Sequence, residues 1–152
     1  DYTADRLEGY RQALTENGIP FDPALVVYTP NSVAGGESAA ETLLQNRNVT
    51  ACFCATDTIA IGVASRLRNL GYGIPEDISL FGFDGLGHHL LATPQISTIQ
   101  QPVYELGMML AATILERLDG KKERTVTMVV PKLLAGHSDG PCKQVCNPER
   151  DV

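Results

Sequence analysis

The chain has 152 residues, 43% of them hydrophobic, a size and composition ordinary for one globular domain with a substantial core. A formal net charge of −6 leaves no basic face of the size that marks nucleic-acid binding, and no stretch reaches the ~18 apolar residues of a membrane span. No charged leader followed by an apolar segment indicates secretion, so the expectation is a soluble, cytoplasmic protein with no membrane partner whose described segment does not itself grip DNA.

From Ala4 to Asn17, Leu7, Tyr10 and Leu14 recur on one helical face, with Ala13 beside them, and Gly18 and Pro20 end the helix. Leu25 to Tyr28 predicts a short strand. Gly35-Gly36 then opens a helix with Ala40, Leu43 and Leu44 on its apolar side, ending near Asn46. Ala51 to Ala55 predicts a buried strand in which Cys52 and Cys54 share one face and serve as small apolar residues. Thr56 or Asp57 is placed to cap the next helix, whose buried positions are Ala60, Val63, Ala64 and Leu67 and which stops at Gly71. Ile61 falls off that stripe and is too apolar for a solvated position, which marks a partner surface.

Ile78, Leu80, Phe81 and Phe83 are apolar on both faces, as in a parallel strand buried between helix layers, and the strand ends on Asp84. In doubly wound sheets ligands bind in crevices outside the carboxyl ends of strands, where a carboxylate accepts hydrogen bonds from hydroxyls or amines. A plain Asp-Gly turn at Asp84-Gly85 is the alternative. Leu86 to Gln95 predicts a loop, Ser97 to Gln101 a strand, and Pro102 to Asp119 a long helix with Val103, Leu106, Leu110, Ile114 and Leu118 in one stripe. Thr125 to Val130 and Lys132 to Ala135 predict strands broken by Pro131. This order of elements is that of an α/β fold with a parallel sheet flanked by helices on both faces. Cys142 and Cys146, with His137 nearby, lie in an aperiodic tail at a spacing unlike paired zinc motifs, so solvated thiols are expected there, with no metal and no other cofactor.

Four segments in this order, RLEGYRQAL with NGIP, ATDTIAIGVASRLRNLGYGIPEDISLFGFD, ATPQISTIQQPVYELGMMLAATILERLDG and VVPKLLAGHS, resemble the effector-binding domain of the LacI/GalR family of bacterial transcription regulators. The resemblance covers Thr3 to Ser138. It implies a periplasmic-binding-protein-like fold in which residues 1–101 form the C-terminal subdomain and 102–120 a crossover helix belonging to the N-terminal subdomain. Residues 121–138 would supply the terminal strands and 139–152 a disordered tail.

Carried over residue by residue, Arg6 matches the arginine that reaches into the ligand cleft. Asp84 matches the aspartate that accepts hydrogen bonds from ligand hydroxyls in sugar-responsive members, and together they suit a polyol. Thr56 stands where an asparagine is common in the motif. Asp57 keeps the aspartate that follows it, with helix capping as its expected role. Gln101 matches the crossover beside the hinge, where it either faces the cleft or is a plain strand residue. In the family the loop carrying His88, His89 and Ala92 leads toward the dimer surface, which joins these residues to Ile61 in an expected homodimer interface. His88 and His89 have no accompanying nucleophile or metal motif, so no enzymatic activity is expected.

The implied protein is a DNA-binding transcription regulator, a repressor, whose helix-turn-helix lies outside this chain and contacts operator DNA. Its effector would be a sugar or related polyol, with a purine or nucleoside less favoured. A periplasmic sugar-binding protein is the alternative. Because the family chain crosses between subdomains near Gln101, the stripe from Val103 to Leu118 would lose its normal cover, leaving that helix repacked, paired with a second copy or poorly ordered.

Overall fold

A computed structural model describes residues 2–45, 49–120 and 126–141 of the protein. Helix α1, Tyr2–Glu16, follows the predicted span and unwinds at Gly18 (φ 69°), where the Ile19 amide returns to Leu14 O. The segment expected to be a strand from Leu25 forms no ladder. Asp22 accepts from the Ala24 amide and starts a 3₁₀ turn over Pro23–Leu25, and the chain then runs extended toward Pro30. Prolines on both sides remove donors that a ladder would need.

Helix α2, Val33–Leu43, is capped by Ser32 and begins two residues before the glycine pair thought to open it. Packing explains the glycines. Helix α3 spans Asp57–Asn69, and a Cβ on Gly36 would lie 2.2 Å from Ile59 O, while one on Gly62 would lie 2.0 Å from Val33 O. The two backbones touch where side chains are absent, which lets Ala39, Ala40, Ala60, Val63, Ala64 and Leu67 close into one buried layer.

That layer covers one face of a four-stranded sheet ordered β1 (Ala51–Phe53), β2 (Ser79–Asp84), β3 (Ser97–Gln100) and β4 (Lys132–Leu134). The first three strands are parallel, with Cys52 opposite Leu80 and Asp84 opposite Gln100; β4 is antiparallel, with Lys132 opposite Gln100. Leu80, Ile78, Ile74, Cys54 and Ile96 complete the core beneath α3. Phe81 and Phe83 point to the opposite face, as the two-faced apolar run required, and Phe83 meets a side chain of α1.

The strand expected at Thr125 to Val130 is not formed over 126–130, where Val126, Met128 and Val130 are exposed; Thr125 lies outside the described residues. Continuing the register of β4 would place residue 130 opposite Pro102, where β3 has already ended and a helix begins, so no ladder partner is available. That helix, α4, spans Val103–Leu118 and carries no buried residue. Val103, Leu110, Ile114 and Leu118 are all more than half exposed, so the stripe is not repacked onto the sheet.

The start of the expected tail is tied down. Ser138 is fully buried, its Oγ accepting from the Ser97 amide and donating to Leu80 O, while the Gly140 amide reaches Ser79 Oγ and Asp139 accepts from Ser97 Oγ. Residues 142–152, with Cys142 and Cys146, lie outside the described residues.

Candidate functional site

The carboxyl ends of β1, β2 and β3 lie side by side, and each hands a polar group to one place. β2 ends on Asp84, whose φ of 119° is left-handed backbone unusual for a residue with a side chain. Such strain persists only where its surroundings hold it, and it clusters at ligand sites. Here the Gln101 amide donates to Asp84 O at 3.0 Å, and the Gln101 side chain donates from Nε2 to Asp84 Oδ1 at 2.7 Å. Arg6 comes from the start of α1: Nη2 donates to the same Oδ1 at 3.1 Å, Nη1 donates to Ala55 O just beyond β1, and Cζ stacks 3.8 Å from the Phe83 ring centroid.

Two donors thus converge on one carboxylate oxygen. Charge-assisted bonds of this kind contribute about 1.5–3 kcal/mol each where water is kept away. The Arg6 and Asp84 side chains are 12% and 24% exposed, so this pair is partly screened. Arg6 and Gln101 line a cavity of about 650 Å³ together with Asp5, Tyr10, Phe53 and Phe83. Asp84 stands behind them as the anchor that both donors share.

A second carboxylate holds the strand end in place. Asp57 is 2% exposed; its Oδ2 accepts from the Gly85 amide at 2.9 Å and its Oδ1 from Thr98 Oγ1 at 2.6 Å. The expected capping role belongs instead to Thr56, whose Oγ1 accepts from the Ile59 amide and donates to Asn31 Oδ1 at 2.7 Å. Thr56 is 4% exposed, its hydroxyl is taken up by the cap and by Asn31, and it is not among the residues that line the cavity. Gly82 is required beside Asp57, since a Cβ there would fall 2.3 Å from Asp57 Oδ1.

Of the residues assigned to a partner surface, His88 is exposed but His89 is buried, with Nδ1 3.7 Å from Asp57 Oδ2 and no hydrogen-bond partner among the described residues. Ile61 and Ala92 are half-buried and pack on the core. The loop is turned so that His89 faces inward and Leu90 and Leu91 face outward. Sequence reasoning also missed Phe53 on the cavity wall. Its signal was present: Phe53 alternates with Cys52 and Cys54 and so points to the face opposite them.

Residues 1–138 match the periplasmic binding protein-like domain. The chain belongs to that family. Within it, the chain is 36% identical over 127 residues to the ribose operon repressor of Haemophilus influenzae, covering 83% of this chain and 38% of that protein. It is 35% identical over 136 residues to the HTH-type transcriptional regulator GalR of Escherichia coli, covering 88% of this chain and 40% of that protein. A crystal structure of a LacI family transcriptional regulator from Enterococcus faecium with bound ribose superposes with a TM-score of 0.86 and 31% identity, covering 93% of this chain and 53% of that one. The resemblance to LacI/GalR regulators is therefore shown in both sequence and fold, and a periplasmic transport protein is not favoured. The chain spans about two fifths of the length of these curated relatives. Among the described residues no helix is long and apolar enough to cross a membrane.

Proposed function

We propose that this chain is the effector-sensing part of a LacI-type repressor and that the Arg6–Asp84–Gln101 cluster is one wall of its effector cleft. The observation that carries this reading is the convergence of Arg6 and Gln101 on Asp84 Oδ1 at the strand ends, beside an open cavity with aromatic walls. Both observed bonds go to one carboxylate oxygen of Asp84, which stands behind the cavity wall and aims Arg6 and Gln101 at the cavity, where their remaining donors meet ligand hydroxyls. Phe53, 42% exposed, offers a flat apolar face to the ring. A neutral sugar or polyol satisfies all of these groups.

In this reading α4 belongs to the first subdomain, which covers its bare stripe and supplies the opposite wall of the cleft. Operator DNA is contacted by a helix-turn-helix outside this chain, in the cytoplasm. His88 is exposed, His89 is buried beside Asp57, and neither is among the residues that line the cavity, so the role this reading assigns is binding.

The test is a thermal-shift titration of the full-length protein with D-ribose, D-glucose and adenosine. A sugar at 100 times its dissociation constant is expected to add about 2.7 kcal/mol of stability. A shift with adenosine but with neither sugar would replace the ligand class, and no shift with any would remove the effector reading.

A homodimer is proposed through the loop after β2. Leu90 and Leu91 are 55% and 80% exposed beside His88, an apolar pair that suits a partner surface. Leu91→Asp, at a position too exposed to disturb folding, is expected to raise the dimer dissociation constant at least about tenfold, a loss of ~1.4 kcal/mol. Sedimentation of this variant indistinguishable from the parent would exclude the loop from the interface.

A further inference from the structure

Asp84 stands behind the cavity wall, which leaves the carboxylate on the wall itself, that of Asp5, without a role so far. Of the residues that line the cavity, Asp5 and Arg6 alone carry a charge. The Arg6 guanidinium is matched by Asp84 at 3.1 Å, whereas Asp5 is exposed and makes no hydrogen bond or ion pair among the described residues. We propose that Asp5 sets the specificity of the cavity: its carboxylate accepts from the hydroxyls of a neutral sugar and turns sugar phosphates away. This rests on the effector reading above and names the chemistry that the same site selects.

A sugar hydroxyl both donates and accepts, so a site that holds several of them must offer both kinds of partner. Arg6 supplies donors only. Phe53 and Phe83 supply neither, and the Gln101 carboxamide and the Tyr10 hydroxyl supply neutral acceptors, so Asp5 is the one charged acceptor on this wall. Hydrogen bonds to an ionised acceptor are shorter and about twice as strong as neutral ones. The helix presents this acceptor openly. Asp5 lies in the first turn of α1 and Gly9 one turn later on the same face, and both line the cavity. A Cβ on Gly9 would meet nothing within 4 Å, so no contact among the described residues demands a glycine that weakens the helix interior. Its bare backbone leaves the Asp5 carboxylate uncovered and lets a ligand ring lie close against α1.

The same charge works against anions. With Arg6 paired to Asp84, the negative charge of Asp5 is left in excess at the cavity. A phosphate monoester carries about −1.5 to −2 charges near neutral pH, and like charges a few ångströms apart repel even where solvent screens them. The positive end of the α1 dipole would favour such an anion, and an aspartate in the first turn offsets it. A neutral sugar meets no such opposition.

The experiment is titration calorimetry on the full-length protein at neutral pH, with D-ribose, D-glucose and the monophosphate of each at its terminal hydroxyl, comparing the parent with Asp5→Asn. The opposite wall of the cleft is common to both proteins and cancels from the comparison. The parent is expected to bind the sugar at least about tenfold more tightly than its phosphate. In the variant the sugar should weaken about threefold and the phosphate strengthen about threefold, so that the ratio of the two constants falls by about tenfold. Higher salt should narrow the preference of the parent and leave that of the variant nearly unchanged. Equal changes for both ligands, or a lower melting midpoint with an unchanged ratio, would make Asp5 a helix-stabilising residue and overturn the proposal. A parent that prefers the phosphate overturns it too, with the effector reading intact. If neither sugar nor phosphate binds either protein, the effector reading fails and this proposal with it.

Discussion

Replacing Asp84 with asparagine in the full-length protein is expected to weaken D-ribose binding about 10–100-fold, the loss of one charge-assisted hydrogen bond of ~1.5–3 kcal/mol. Asparagine is the informative replacement because it tolerates the left-handed backbone that Asp84 adopts at φ 119°, so the variant removes charge without adding strain. It also turns one acceptor oxygen into a donor, which leaves Arg6 and Gln101 competing for a single neutral carbonyl. Both donors keep the shared oxygen but lose its charge, which loosens their aim at the cavity. Titration calorimetry on the parent and variant, with circular dichroism to show equal folding, provides the measurement. Unchanged affinity in a folded variant would remove Asp84 from the site.

Asp57→Ala is expected to act on stability. It leaves the Gly85 amide and the Thr98 hydroxyl buried without their acceptor, at about 1–3 kcal/mol for each orphaned group, so the unfolding free energy should fall by about 2–6 kcal/mol. That is a large share of the ~5–15 kcal/mol that holds a typical domain together. Urea unfolding would show it as a lower midpoint at similar slope. Where the variant remains folded, ribose affinity should fall as well, since Gly85 follows Asp84 directly and its amide fixes the strand end. A midpoint equal to the parent's would mean that water or His89 replaces the carboxylate.

Local pattern indicated α1, α3 and β2 and put a carboxylate, Asp84, at a strand end. α1, α3 and β2 could be read from apolar period and from Gly18 and Gly71, because both signals act over a few residues of the chain itself. Asp84 was legible as a carboxylate at a strand's end, whereas Arg6 was assigned only through the family resemblance. What lies between residues distant in sequence was not legible. Whether Gln101 faced the cleft depended on where β3 stopped relative to Asp84, and the register of neighbouring strands decides that. Of the two candidates for the cap, Thr56 takes the role and Asp57 does not, because a cap and a buried bracket look alike in one dimension; only the approach of β2 and β3 makes Asp57 the acceptor for Gly85 and Thr98. Gly36 looked like a helix start and proved to be the point where α2 meets α3. The strand expected before Pro131 had suitable residues but no neighbour, since β3 ends where it would pair. His89 looked like a surface residue until the fold of its loop turned it toward Asp57. Composition and period describe what a segment prefers, whereas burial, pairing and contact depend on which other segment arrives beside it, and the tertiary structure alone supplies that.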